Sequence, residues 1–106
     1  MPVCVGIAHT KTLAKFANHC AKIDPIWNGV CDISNLPKLQ IDQMMNKVKV
    51  VNLWGIGHKT AFRLRSIKIN SVLDLRITKT IKIKKQFNIN VERIIYELNQ
   101  IPCFPV

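Results

Sequence analysis

Two dipeptides, Asp24-Pro25 and Asn28-Gly29, decide how the first third of this chain can fold. A residue before proline avoids the α region, so a helix arriving from the N-terminal side ends at Asp24. Asn-Gly then turns the chain. What arrives is residues 10–22, TKTLAKFANHCAK, where Leu13, Ala14, Ala17, Cys20 and Ala21 recur at helical steps and share one face, with Phe16 beside it. Thr10 is the predicted N-cap, because its hydroxyl can accept a free amide of the first turn. Upstream, residues 3–7 (VCVGI) are short, β-branched and apolar; downstream, residues 29–33 (GVCDI) carry the same signal. Strand, helix and strand within about 30 residues make a βαβ unit, or half of one.

Beyond this the period becomes helical. Residues 36–45 are a predicted short helix, with Leu39, Ile41, Met44 and Met45 apolar. Residues 59–67 form another, with Ala61, Phe62, Leu64 and Ile67 apolar and Arg63 and Arg65 off the stripe. Residues 71–77 follow, capped by Asn70 or Ser71, and residues 78–87 mix strand alternation with helical flanks. Val91, Ile94, Ile95 and Leu98 stand at i, i+3, i+4 and i+7, so residues 91–99 give the clearest helix, with Asn90 its predicted cap. Glu92 and Glu97 are read as parts of its solvated face. The predicted fold class is α+β: a small strand-helix-strand piece at residues 1–34, then an all-helical piece at residues 35–106, joined near Asn35-Leu36-Pro37.

The chain has 16 Lys and Arg against 6 Asp and Glu, a net charge of +10, which points to a polyanionic partner, most often nucleic acid. Nine of the cations fall within residues 59–85, opposed only by Asp74. Overlapping the start of that range runs LWGIGHKTAFRL, residues 53–64. Gly55 and Gly57 flank Ile56, which can anchor the turn inward while two or three backbone amides face outward. The helix starting behind them adds free amides and a positive dipole end, and Lys59 and His58 add donors. A phosphate suits that place. The pattern, apolar-Gly-apolar-Gly before a helix, is that of a helix-hairpin-helix, which grips the sugar-phosphate backbone without reading bases.

Other chemistries find little support. GIAHTKT, residues 6–12, has a Lys-Thr before a helix but lacks the glycine directly before the lysine that a phosphate-wrapping loop needs. The six acids form no close pair, and Asp32 is the only one on a predicted strand end. Cys4, Cys20, Cys31 and Cys103, even with His9, His19 and His58, match no common zinc spacing, so the cysteines read as buried or half-buried thiols and no metal is expected. No apolar run is long enough to span a membrane and the N-terminus is not read as a signal peptide, so the expected location is the cytoplasm.

The strings VGIAHTKTLAKFANHCAK, NGVCDIS, VNLWGIGHKTAFRL, LDL and KKQFNINVERIIYELNQIPC, in this order, resemble the Y-family translesion DNA polymerases from about residue 3 to residue 106. The resemblance implies the last portion of the palm at residues 1–34 and the thumb at residues 35–106, without the start of the palm, the fingers or the little finger. In that family the palm's carboxylates hold Mg²⁺ through an early Asp-x-x-x-Phe-type run and a Ser-x-Asp-Glu-type motif, and neither string exists here. No cofactor and no polymerisation is therefore expected of this piece alone. The resemblance also implies that Lys22 contacts the triphosphate of an incoming nucleotide, and that Gly55, Ile56, Gly57, His58 and Lys59, with Arg63 behind them, hold duplex DNA backbone. Many relatives have Pro-Asn-Gly or a longer insertion at this place, whereas this chain has Ile23-Asp24-Pro25-Ile26-Trp27-Asn28-Gly29, and Asp24 beside Lys22 could weaken a triphosphate contact. For the intact family the implied role is error-prone synthesis across lesions in the SOS damage response, with UmuD′ and RecA as partners. The alternatives are a stand-alone, non-enzymatic DNA-binding module, or an inert remnant that self-associates through exposed sheet edges.

Overall fold

The computed structural model describes residues 5–104. β1 (Val5–Ile7), α1 (Lys11–Ile23) and β2 (Val30–Asp32) take the expected order, and the strands pair in parallel, Val5 with Val30, Gly6 with Cys31 and Ile7 with Asp32. Positions 3 and 4 of the predicted first strand lie outside the described residues. Thr10 caps α1, its Oγ1 accepting the Leu13 N–H at 3.3 Å. Asp24 ends α1 and accepts the Ile26 N–H at 3.1 Å, which starts one 3₁₀ turn, Pro25–Trp27. Asn28 and Gly29 then reverse the chain at φ 52° and 85°. Strand and helix lie in direct contact: a Cβ at Gly6 would stand 2.2 Å from the Ala14 carbonyl oxygen and the Asn18 nitrogen.

The remaining described helices are α2 (Lys38–Lys47), α3 (His58–Ser66), α4 (Val72–Ile77), α5 (Thr80–Lys84) and α6 (Ile89–Leu98). The fold is thus mixed, with a two-stranded sheet and six helices among the described residues. One cluster of buried apolar side chains runs from Leu13 and Phe16 through Met45, Leu64 and Leu75 to Ile94 and Leu98, crossing Asn35-Leu36-Pro37 without a break. Ser71, not Asn70, caps α4 in a reciprocal box: its Oγ accepts the Asp74 N–H at 3.1 Å and Asp74 Oδ2 accepts the Ser71 N–H at 3.1 Å. The ambiguous stretch at residues 78–87 holds the short helix α5, which buries Ile83 and leaves Ile81 exposed.

Three expectations are corrected. The cap of α6 is Asn88 rather than Asn90; its Oδ1 accepts the Asn90 and Val91 N–H groups at 3.1 and 3.3 Å, and α6 starts correspondingly earlier. Phe62 does not join the buried stripe of α3, which consists of Ala61 and Leu64; it is 68% exposed. Glu92 and Glu97 are not on a solvated face. Glu92 is partly covered and pairs with Lys84 at 3.4 Å, and Glu97 is fully buried.

Glu97 is buried because backbone donors meet it from two directions. Its Oε1 accepts the Thr12 N–H of the first turn of α1 at 2.7 Å, and its Oε2 accepts the Cys103 and Phe104 N–H groups at 2.8 and 2.9 Å. The Thr10 hydroxyl donates to its backbone carbonyl at 2.9 Å. Burial alone would push its carboxyl up, but the backbone N–H groups outweigh that and hold it below its ordinary 4.5. A lowered native pKa means stability that is present above the unfolded-state value and lost as the pH falls through the native one. Glu97→Gln, which turns an NH₂ toward one set of N–H donors, is expected to destabilise the chain by about 2–3 kcal/mol in urea denaturation at neutral pH. The same variant should flatten the loss of stability below pH 4.5 that is expected of the native protein.

Candidate nucleic-acid interface

The corner is built by two buried side chains and one unusual backbone angle. Leu53 and Ile56 are 3% and 6% exposed, and the Leu53 carbonyl accepts the Ile56 N–H at 3.1 Å, closing a four-residue turn. Gly55 holds its third position at φ 90°, a conformation that side-chain-bearing residues disfavour. A Cβ there would also come within 3.0 Å of Ile94 Cδ1. Gly57 differs. Its φ is −84°, it caps α3 without a side chain, and a Cβ on it would meet nothing within 4 Å. The space in front of Gly57 is open.

Ile56 therefore turns inward and the backbone around it faces out. The first intrahelical bond of α3 runs from the Ala61 N–H to the Gly57 carbonyl at 2.9 Å. Among the described residues, the amides of Gly57, His58, Lys59 and Thr60 find no acceptor within the protein. Gly55, Gly57, His58 and Lys59 are all exposed, and no acid stands in the first turn. What precedes the corner is one 3₁₀ turn, Val50–Asn52, rather than an α-helix running into it. That segment is pinned to the start of α4 by a Lys49–Ser71 bridge, with the Val50 N–H donating to the Asn70 carbonyl at 3.0 Å.

Trp54 and Lys11, to which sequence reasoning assigned no role, join the corner to α1. The Lys11 ammonium lies 5.2 Å from the centre of the Trp54 ring, and Phe104 meets that ring edge-on at 5.7 Å. Nothing local in the sequence brings residues 11, 54 and 104 together. Arg63 lies further along α3, in the row of Lys59. Its guanidinium stacks over Phe87 at 4.6 Å and donates to the Gln86 carbonyl, so it is braced against the turn after α5. Lys22 is exposed in the last turn of α1, away from the corner in sequence and in the opposite end of that helix from Lys11.

The other candidate groups are structural. Asp32 receives the Ser34 N–H at 3.0 Å and the Asn35 amide at 3.2 Å, which cap the turn after β2. Cys20 and Cys31 are buried, and desolvation pushes their thiols up to about 12 and about 11. Among the described residues no three His, Cys, Asp or Glu side chains gather where a metal ion could be held, and no helix is long and apolar enough to cross a membrane.

No family model matches the chain. Individual relatives do. It is 42% identical over 103 residues to the protein MucB of Escherichia coli and 39% identical over 107 residues to the protein UmuC of Salmonella typhimurium, covering 96% and 97% of this chain. It is 33% identical over 101 residues to the DNA polymerase IV of Oceanobacillus iheyensis. The chain belongs to the Y-family polymerases. It spans about a quarter of the length of the curated relatives it matches, 24% of MucB and of UmuC. Within this Y-family segment the two glycines of the corner carry different loads, and substitution separates them. Gly55→Val is expected to destabilise the fold by about 2 kcal/mol through its positive φ. Gly57→Val should cost no more than about 1 kcal/mol, the loss of N-cap preference, since a Cβ there meets nothing within 4 Å.

Proposed function

We propose that this chain is the DNA-gripping segment of a Y-family lesion-bypass polymerase, and that Gly55, Ile56, Gly57, His58 and Lys59 hold duplex backbone without reading bases. The single observation behind this is the exposed corner whose amides lack acceptors. Four N–H groups at the positive end of a helix, beside a Lys59 ammonium that forms no ion pair among the described residues, match a phosphate and carry no base preference. Such a grip suits a protein that must hold DNA of any sequence and of damaged geometry.

On this reading residues 1–34 are the end of the palm and residues 35–106 the thumb, Lys22 meets the incoming triphosphate, and Arg63 supports the grip from behind. The intact protein carries out error-prone synthesis in the SOS damage response, in the cytoplasm, with UmuD′ and RecA. The described residues do not fit the Mg²⁺ pair of that reaction, so no chemical step is assigned to them.

Binding of a blunt duplex, followed by fluorescence anisotropy, should weaken linearly in log–log form with salt, by a slope of about 0.9 per phosphate neutralised. Lys59→Ala should lower that slope by about 1 for every duplex sequence alike. Gly57→Val should cut affinity about tenfold by blocking the close approach, at a stability cost of no more than about 1 kcal/mol. Salt-independent binding, or Gly57→Val binding like the parent, would remove the corner from the interface.

A second reading has an observation of its own. Among the described residues the sheet has two strands, and Ile7, Ile23, Ile26 and Val30 are exposed. Such a sheet is completed by further strands, either from a longer chain or from a second copy. Light scattering of the chain free in solution separates the two: a dimer that dissolves on Val30→Lys supports the second copy.

A further inference from the structure

Trp54 stands in the middle of the turn that makes the corner. The turn runs from Leu53 to Ile56, and Gly55 occupies its third position at φ 90°. The peptide between the second and third residues of a turn has two arrangements, and one of them requires a positive φ at the third residue. Glycine accepts both, so Gly55 by itself does not choose between them. Trp54 is the residue on the other side of that peptide, and its indole is held from outside the turn. The Lys11 ammonium lies 5.2 Å from the ring centre, and Phe104 meets the ring at 5.7 Å and 84°. Both partners come from segments tied to Glu97, through the Thr12 and Phe104 N–H groups. Trp54 is still 38% exposed, so burial in the core does not fix it. Lys11 is the first residue of α1, where the helix dipole disfavours a cation, and it forms no ion pair among the described residues. An apolar side chain would pack there without that cost. What a cation adds is its attraction to the face of an aromatic ring.

We propose that Trp54 is a positioning residue of the corner and that Lys11 is its anchor on α1. The ring contact selects the arrangement of the Trp54–Gly55 peptide in which Ile56 turns inward and the amides of residues 57–60 stay free for a phosphate. Lys11 thus acts on duplex binding through the indole, not by touching a phosphate itself. The inference rests on the backbone grip proposed above, yet the two fail separately. The test follows blunt-duplex binding by fluorescence anisotropy across a salt series, and records the amide chemical shifts of residues 55–60 without DNA. Trp54→Ala should weaken binding about tenfold, and Trp54→Phe, which keeps a ring for the ammonium, by no more than about threefold. Lys11→Met, which keeps the unbranched stem and removes the charge, should weaken binding about threefold and leave the salt slope at the parent's value. Lys59→Ala, which removes a phosphate ligand, lowers that slope by about 1 and serves as the comparison. Lys11→Arg should bind like the parent, because a guanidinium keeps the contact with the ring. Without DNA, Trp54→Ala and Lys11→Met should shift the same corner amides, and Lys11→Arg should not. A slope lowered by about 1 in Lys11→Met would make Lys11 a phosphate ligand and overturn the proposal. Parental affinity in Trp54→Ala, or corner amides that stay in place in both variants, would also overturn it. A parent that binds no duplex removes the backbone reading and leaves the amide shifts to decide whether Trp54 and Lys11 position the corner.

Discussion

Glu97 accepts three backbone N–H groups from two segments that are far apart in sequence, and the position of the corner follows from that one carboxylate. Thr12 brings the start of α1, so the neighbouring Lys11 stands over Trp54. Phe104, whose backbone N–H donates directly to Glu97, packs perpendicular to the same indole. The residue that opens the glycine corner is therefore held by two groups that Glu97 positions. A buried carboxylate is costly when unpaired, so this arrangement forms as a whole or not at all.

The corner itself divides its work. Leu53 and Ile56 fix it from beneath, Gly55 supplies an angle, and Gly57 leaves space. The unsatisfied amides of α3 are the unavoidable consequence of starting a helix with glycine rather than with serine or aspartate. An ordinary globular helix would satisfy one of them with a side chain. Here none is supplied and no acid tempers the positive end, which leaves that end open to an external anion. The basic groups fall on separate rows of α3: Arg65 lines a cleft with Phe62, and Arg63 is braced over Phe87.

Much of the local structure was legible. Thr10 as cap, the stop at Asp24-Pro25, the reversal at Asn28-Gly29 and the helical stripe of α6 each depend on contacts within a few residues. Inward Ile56 and outward glycines were legible for the same reason. Glu97 was not. It flanks the stripe of Ile94 and Leu98, which was a faint signal, but its donors lie 85 residues upstream at Thr12 and beyond the helix end at Cys103 and Phe104. Phe62 misled in the opposite sense, since α3 is short and buries only Ala61 and Leu64, so an aromatic at an apolar-looking position stays outside.

The sequence by itself determined the parallel strand-helix-strand order, the punctuation of the helices, the excess of positive charge and the glycine-flanked bend, because steric limits on proline and glycine and the period of apolar residues act locally. Only the tertiary structure decided that Lys11, Trp54 and Phe104 meet, that Glu97 is buried, and that Phe62 stays exposed. Those outcomes depend on which distant backbone donors reach one buried carboxylate and on which side chains the core has room to enclose. Neither is encoded in any short window of the chain.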